Sequence, residues 1–557
     1  MGLGITFTSN EILQAGTGGP GATGRAFFAG EADQGPGTTY VRCASINDYT
    51  IAFGARSPTS ATLYDAVDVF FHEGGSVCYV TRVNDATSIA ATLTLSDVTP
   101  HPTVVVSALS PGVDGNAFKV AVALSTAATL TGNTASSITV TNVSSFANIG
   151  VGTPVSGTGI PAGTYVASVT PGSSTLTLSQ AATATATGVT ITPTKYTVTV
   201  QDSSGNILET HGPYNTTAQL FADTTSAFVA FSQSAGSGFT TNVPTTTAAT
   251  ALAGGGNITD ITDTIRVGAL ANFPPALGPG TVAIPGQTSP TIWAGIGAHC
   301  VSTGVNRMGA VELPDTPTAA TIIAAMTAIN NSTYAGYLVV AGAQCIVPNP
   351  FATATSRTVG SSAVVAALRA RVSATGNDNQ APSGVNYPLR YVTGFTNTYS
   401  LADTISLNAV GFNTFQTPKT GLGLPALCLC GFSSGVLQSA DPIFWQASAG
   451  YERMALVNEG TGILNSHMFQ SIDGRNLLIG KVTGELMAMI ARHWSADALY
   501  GADATDAGKA ILTPPINTTT TEQAGALNAN VLVRISPFMQ SGTYSLTSIP
   551  ITSTIPA

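Results

Sequence analysis

Hydrophobic and polar positions change their period several times along this chain. Residues 1–24 open on a short β-like run containing Ile5 and Phe7 and close on Gly16-Thr17-Gly18-Gly19-Pro20-Gly21-Ala22-Thr23-Gly24. Too few apolar groups are present for that segment to fold alone, so it reads as a flexible arm. From Arg25 to about Val106 the pattern runs strand, turn, helix, strand. A helix over 60–71 places Leu63, Val67, Phe70 and Phe71 on one face, and Cys78-Tyr79-Val80 resumes β, which makes one incomplete βαβ-like unit.

Between about Ser107 and Gly256 the helical period nearly vanishes. Short alternating strands replace it, such as Ile138-Thr139-Val140-Thr141, Thr175-Leu176-Thr177-Leu178 and Tyr196-Thr197-Val198-Thr199-Val200, with a turn at Asp202-Ser203-Ser204-Gly205-Asn206. The block reads as an inserted β domain, with a further small β module at about 129–193. After Gly256 mixed α/β patterning returns, with helices expected at 318–330 and 361–372 and strands around Val311, 337–341 and 390–393. The clearest amphipathic helix spans 476–493: Leu478, Val482, Leu486, Met489 and Ile490 form its stripe while Lys481, Glu485 and Arg492 face elsewhere. A strand at Leu532-Val533-Arg534-Ile535 follows, then a tail, 544–557, that alternates polar and apolar residues.

A chain of 557 residues is too long for one core and predicts about three or four domains. Charged residues make up 8% of it, against about 25% in an ordinary soluble protein. A Thr/Ser-coated exterior with so little charge suits a β-rich chain that buries much of its surface against copies of itself, because interface cores exclude charge. The net charge of −9 and the lack of any basic run argue against nucleic acid as a partner. The amino terminus has no signal-peptide pattern and no long apolar segment follows, so no membrane insertion is expected and the chain reads as made and kept in a cytoplasm. Cys43, Cys78, Cys300, Cys345, Cys428 and Cys430 are too sparse for a disulfide framework and lack zinc spacing; buried free thiols are expected.

Several local motifs occur in a telling order. An apolar strand at 26–29 ends in Gly30-Glu31-Ala32-Asp33-Gln34-Gly35-Pro36, followed by Ala52-Phe53-Gly54 and by Phe70-Phe71-His72-Glu73-Gly74-Gly75. Later come Leu252-Ala253-Gly254-Gly255, Asp315-Thr316-Pro317, Pro348-Asn349-Pro350, Ala381-Pro382-Ser383-Gly384 and Leu407-Asn408-Ala409-Val410-Gly411-Phe412-Asn413. In this order they resemble the contractile phage tail sheath family. One departure is Leu424-Pro425-Ala426-Leu427-Cys428-Leu429-Cys430-Gly431, where that family commonly has a Trp-Gly-x-Arg-Thr segment.

The resemblance implies a multidomain α/β and α+β protein: a discontinuous mixed α/β sheath core (25–106 and 257–420), an inserted all-β domain (107–256), a C-terminal α+β domain (421–542) and extended terminal arms (1–24 and 543–557). It implies a structural subunit that polymerises as stacked rings, hexameric in the family's pattern, around a tail tube, with baseplate and tail terminator proteins as further partners. Such a subunit belongs to a virion tail, is assembled in the bacterial host cytoplasm, and contracts to drive the tube through the host envelope for genome ejection. No nucleotide is needed if the extended lattice is kinetically trapped. The arms carry the assembly chemistry expected here: Ile5, Phe7, Tyr544, Leu546, Ile549 and Ile551 would enter as added strands on a neighbour's sheet edge. The family's late helix tends to line the lumen, which makes Lys481, Glu485 and Arg492 candidates for tube contact; a solvated face with a Lys481–Glu485 pair is the plain alternative.

Enzymatic candidates are weaker. Gly431-Phe432-Ser433-Ser434-Gly435 matches a Gly-x-Ser-x-Gly nucleophile elbow, with Asp441 or Asp473 and His467 or His493 available to complete a triad, but a Gly- and Ser-rich chain makes this pentapeptide easily by chance. Gly19-Pro20-Gly21-Ala22-Thr23-Gly24 precedes a strand where a dinucleotide motif must follow one, and Gly508-Lys509-Ala510 lacks P-loop spacing. No catalysis, cofactor or metal is expected. A β-rich adhesin or fibre, or a shell protein, is the competing class, with a serine hydrolase at Ser433 third.

Overall fold

The computed structural model describes residues 23–84, 88–97, 100–235, 241–256, 261–302, 304–316, 318–351, 354–416, 426–435, 445–472 and 476–538. Its centre is an eight-stranded sheet in the order Val41–Cys43, Cys78–Arg82, Ala26–Gly30, Thr281–Ala283, Met308–Val311, Leu338–Gly342, Phe412–Gln416, Cys428–Cys430. The two outermost pairings are antiparallel and every inner one is parallel. Parallel strands are covered on both faces, which is why Ala26-Phe27-Phe28-Ala29 and Leu338-Val339-Val340-Ala341 are unbroken apolar runs, all buried. One face packs Phe28, Val80, Ala310 and Val339 under the helices Ala61–His72 and Ser361–Ser373. The other packs Phe27, Tyr79, Val282 and Phe412 under Pro290–Val301, Ala319–Asn330 and Leu401–Ala409.

Between Arg82 and Thr281 the chain builds antiparallel sheets with their own core of Val104, Val120, Val198, Val229 and neighbours. Strands Thr92–Ser96 and Pro102–Ala108, both of which begin before residue 107, pair in one sheet with Val229–Gln233. The long strand Thr185–Gln201 serves two cores. Its second half pairs with Lys119–Thr126 and Ile207–Tyr214, and its first half with Leu130–Ala135 and Val155–Gly157, over a separate cluster of Val140, Val166, Leu176 and Ile191. The turn at 202–206 forms as its residues predict: Asp202 Oδ1 accepts from the Asn206 N–H at 2.8 Å, and Gly205 takes φ +90°.

Three expectations change. Thr23, read as part of the amino arm, is fully buried: it donates to Asp378 Oδ1, and Arg369 Nη2 donates to its hydroxyl at 2.9 Å. The strand expected over 390–393 is only Gly394–Phe395, because the backbone N–H groups of Arg390, Tyr391 and Val392 donate to the buried carboxylate of Glu73 at 2.8–3.0 Å instead of to a strand. A helix over Ala447–Ser466 has no counterpart in the sequence reading; Tyr451, Met454, Ala455 and Leu456 lie on several of its sides, so no single apolar stripe marks it.

Arg307 closes the crossover that returns to the sheet. Its guanidinium donates to the carbonyls of Phe273 (3.0 Å), Pro274 (2.8 Å) and Gly278 (3.0 Å), lies 3.9 Å over the Phe27 ring, and reaches His299 Nε2 at 3.0 Å. That nitrogen therefore accepts, and burial followed by the Arg307 charge pushes the His299 pKa from 6.5 down to about 4. The unfolded chain takes up this proton near pH 6.5 and the folded chain only near 4. The associated stability is thus complete above the upper value and drains away towards the lower one, by up to about 1.4 kcal/mol per pH unit. Urea unfolding at pH 7 and pH 5 should show this acid loss, and His299→Gln, which keeps an acceptor for Arg307, should flatten it.

Candidate assembly interface

The helices Ala447–Ser466 and Leu477–Ser495 pack against each other, the second through the stripe its sequence predicts: Leu478, Val482, Leu486, Met489 and Ile490 are all buried. Charged side chains cross-link the pair. His493, fully buried, sets Nδ1 2.6 Å from Glu452 Oε1 and Nε2 3.1 Å from Glu459 Oε2. Both contacts are satisfied together when the ring donates twice or when one carboxyl keeps its proton, and burial pushes the Glu452 pKa up. Arg492 donates to the other Glu459 oxygen, and His467 Nε2 lies 2.9 Å from Glu485 Oε2.

Against the second helix stands a two-stranded antiparallel sheet, Gly508–Ile511 with Asn530–Val533. Arg534 and Ser536 continue the pairing on the same side, Arg534 N–H to Ala507 O (2.9 Å), Tyr500 N–H to Arg534 O (2.8 Å) and Ser536 N–H to Ala498 O (3.0 Å). The backbone alternates with period two, so Val531, Val533 and Ile535 aim their N–H and C=O at the opposite edge. Among the described residues no third strand lies there. An isolated two-stranded sheet is marginal and an unpaired edge is a template for another strand.

The first and the last described residues are held by neighbouring side chains. Asp378 holds Thr23, the first described residue. The next residue, Asn379, donates from Nδ2 to Ser536 O at 2.7 Å and Ala498 O at 3.1 Å. Gln446 then clamps Phe538, accepting its N–H at 3.1 Å and donating to its carbonyl at 3.2 Å. Two consecutive residues thereby hold Thr23 and Ser536, a juxtaposition no sequence signal announces.

The arm residues Ile5, Phe7, Tyr544, Leu546, Ile549 and Ile551 lie outside the described residues. Lys481, Glu485 and Arg492 share one helix and differ in their contacts: Lys481 is exposed, Glu485 pairs with His467 rather than with Lys481, and Arg492 pairs with Glu459. Ser433 sits in an extended turn bridged to Gln446, its backbone clamped by Asn413, which accepts from Ser433 N–H at 2.7 Å and donates to Ser433 O at 2.9 Å. Among the described residues no helix begins at this turn, and His467 and His493 are engaged with glutamates; Asp441 and Asp473 lie outside the described residues. A doubly wound sheet offers a ligand site beyond its strand ends where strand order reverses, here between Ala26–Gly30 and Thr281–Ala283. Arg266 occupies the approach, paired with Glu31 at 2.6 Å and Asp263 at 2.9 Å. The cysteines are free, and all but the half-buried Cys430 are buried. Among the described residues no helix is long and apolar enough to cross a membrane, and no cluster of three metal-ligating side chains occurs.

No protein-family profile and no curated protein sequence matches the chain. Solved structures do. A sheath tail protein from Listeria innocua covers 92% of this chain and 95% of its own length with a TM-score of 0.54 at 13% identity. This is a tail sheath fold. A chain from the baseplate of the anti-feeding prophage in its contracted state aligns over 98% of both chains, with a TM-score of 0.51 at 12% identity. Within the sheath fold the motifs that carried the resemblance are packing devices. Gly75 leaves no room for a Cβ beside Phe70, Gly384 N–H donates to the edge strand at Leu429 O (2.8 Å), and Asn413 ties two strands to the Ser433 turn.

Replacing His493 with Ala would leave Glu452 and Glu459 buried against a void. We expect a loss of about 3 kcal/mol or more, read as a lower melting temperature and faster hydrogen exchange across residues 477–495.

Proposed function

We propose that this chain is the subunit of a contractile tail sheath, polymerising with copies of itself around a tail tube and shortening to drive that tube through a bacterial envelope. The observation that carries the reading is the open edge at Val531, Val533 and Ile535 in a fold shared over nearly its whole length with a sheath tail protein. Strand exchange supplies the linkage: a terminal segment of one subunit adds to this edge in another, main-chain hydrogen bonds giving affinity and alternate side chains giving register. Thr23 and Ser536 meet at Asp378 and Asn379, so arms continuing from these points would tether the neighbours of one subunit from a single place. Rings of six, stacked and capped by baseplate and terminator proteins, follow the family pattern.

The subunit is proposed to act without catalysis. Contraction then draws on a metastable extended lattice, each subunit contributing a few kcal/mol on repacking. Its place is a virion tail or a related injection device, assembled in the bacterial cytoplasm, and Lys481 on the exposed face of the helix Leu477–Ser495 is offered as a tube contact.

Val531→Pro tests the central step. Proline there removes an N–H aimed at the open edge and none that serves the existing pair. The variant subunit should melt within a few degrees of the parent, yet form no tubular polymer in negative-stain micrographs. Tubes as long and as frequent as the parent's would refute strand addition at this edge.

A further inference from the structure

Beside the open edge runs a small apolar groove of about 160 Å³, walled by Leu456, Met489, Val531, Val533 and Ile535, with Arg453 on its lining. None of its walls comes from Gly508–Ile511, so it lies on the side where an added strand would place its inward side chains. Arg453 lies 4.6 Å over the Tyr337 ring, and its Nη2 is buried with no hydrogen-bond partner. A buried guanidinium nitrogen without an acceptor is costly, and among the described residues Arg453 is the one charged residue lining a groove that is otherwise apolar. The missing element is one acceptor, best a carboxylate, carried on a strand whose other inward residues are apolar.

The terminal segments contain one such group. Residues 1–22 and 539–557 together hold a single carboxylate side chain, Glu11, and no basic one. Written as a strand, the amino segment puts Ile5, Phe7, Glu11 and Leu13 on one face. We propose that residues 5–13 of a second copy add to the edge at Val531–Ile535 with Glu11 engaging Arg453, so that this ion pair fixes the register of the exchanged strand. The pairing rests on the arm-exchange reading above and adds to it the choice of arm and its alignment. A one-residue slip would turn Ile5, Phe7 and Glu11 outwards and return Arg453 to its unpaired state.

The test uses the full chain and its self-assembly at low ionic strength. Glu11→Arg and Arg453→Glu should each raise the critical concentration for tube formation about tenfold or more, with the melting temperature of the unassembled subunit unchanged. Combining them should bring assembly back to within about threefold of the parent. If Arg453→Glu does not fold, Glu11→Gln and Arg453→Met replace the swap: each should weaken assembly, and together no more than either alone. Additive losses, or an Arg453 variant that assembles like the parent, overturn the pairing. Deleting residues 1–22 separates the two levels. Normal assembly without them sinks arm exchange through this segment, whereas lost assembly with no coupling between Glu11 and Arg453 sinks the register lock alone. Tubes lost on removing 539–557 but kept on removing 1–22 would assign the edge to the carboxyl tail, against the proposal.

Discussion

The fold depends on the double pairing of one strand. Ala26–Gly30 lies between Cys78–Arg82, its near neighbour in sequence, and Thr281–Ala283, parallel to both. Everything between Arg82 and Thr281 must leave and return across that strand, so the β region is an excursion whose neck has to close. It does so with antiparallel bridges, Ile89 to Gly256 and Thr92 to Ala253, and with Asn116 bonded in both directions to Gly255. Pinned at its neck, the excursion carries its own core, and the central sheet closes as though the excursion were not there. The cost of joining such distant segments grows only slowly with loop length.

Scarce charge is spent inside. Arg307, Arg369, Glu73, Glu312, Glu452 and His493 are all buried, and most tie segments far apart in the chain. Arg369 reaches Thr23 and Asp378, Glu73 reaches 390–392, and Glu312 accepts from Ser362 Oγ at 2.5 Å and Gly286 N–H at 3.1 Å. Buried pairs add little net stability but are costly to break, so they select one arrangement of segments over others. What remains outside is largely Thr, Ser, Ala and Gly, a surface with little charge to strip when copies meet. The proposed self-assembly would draw on both: buried pairs that select one arrangement and an exterior with few charges.

The two long C-terminal helices show how the body and the interface are joined. The helix Leu477–Ser495 supports the open-edged sheet on one side and is fastened to Ala447–Ser466 on the other through His493 and Arg492. The first turns of Ala447–Ser466 in turn pack on the central sheet. A pull on a strand added at Val531–Ile535 would thus pass through one helix pair into the sheet, without crossing a loop.

By itself the sequence determined the elements whose side chains repeat with a period. The parallel strands show as unbroken apolar runs, Thr175–Leu178 and Tyr196–Val200 as alternation, and Leu477–Ser495 as a stripe, because each faces one kind of neighbour along its length. The order of turn motifs likewise pointed to the sheath fold, since a glycine such as Gly75 records a close approach that no other residue permits. Tertiary structure alone decided the rest. Ala447–Ser466 is enclosed on several sides and loses its period; 390–392 trade a strand for one carboxylate; and Thr23 and Ser536 meet at Asp378 and Asn379. These outcomes hang on single contacts between residues hundreds of positions apart, and such contacts leave no local period to read.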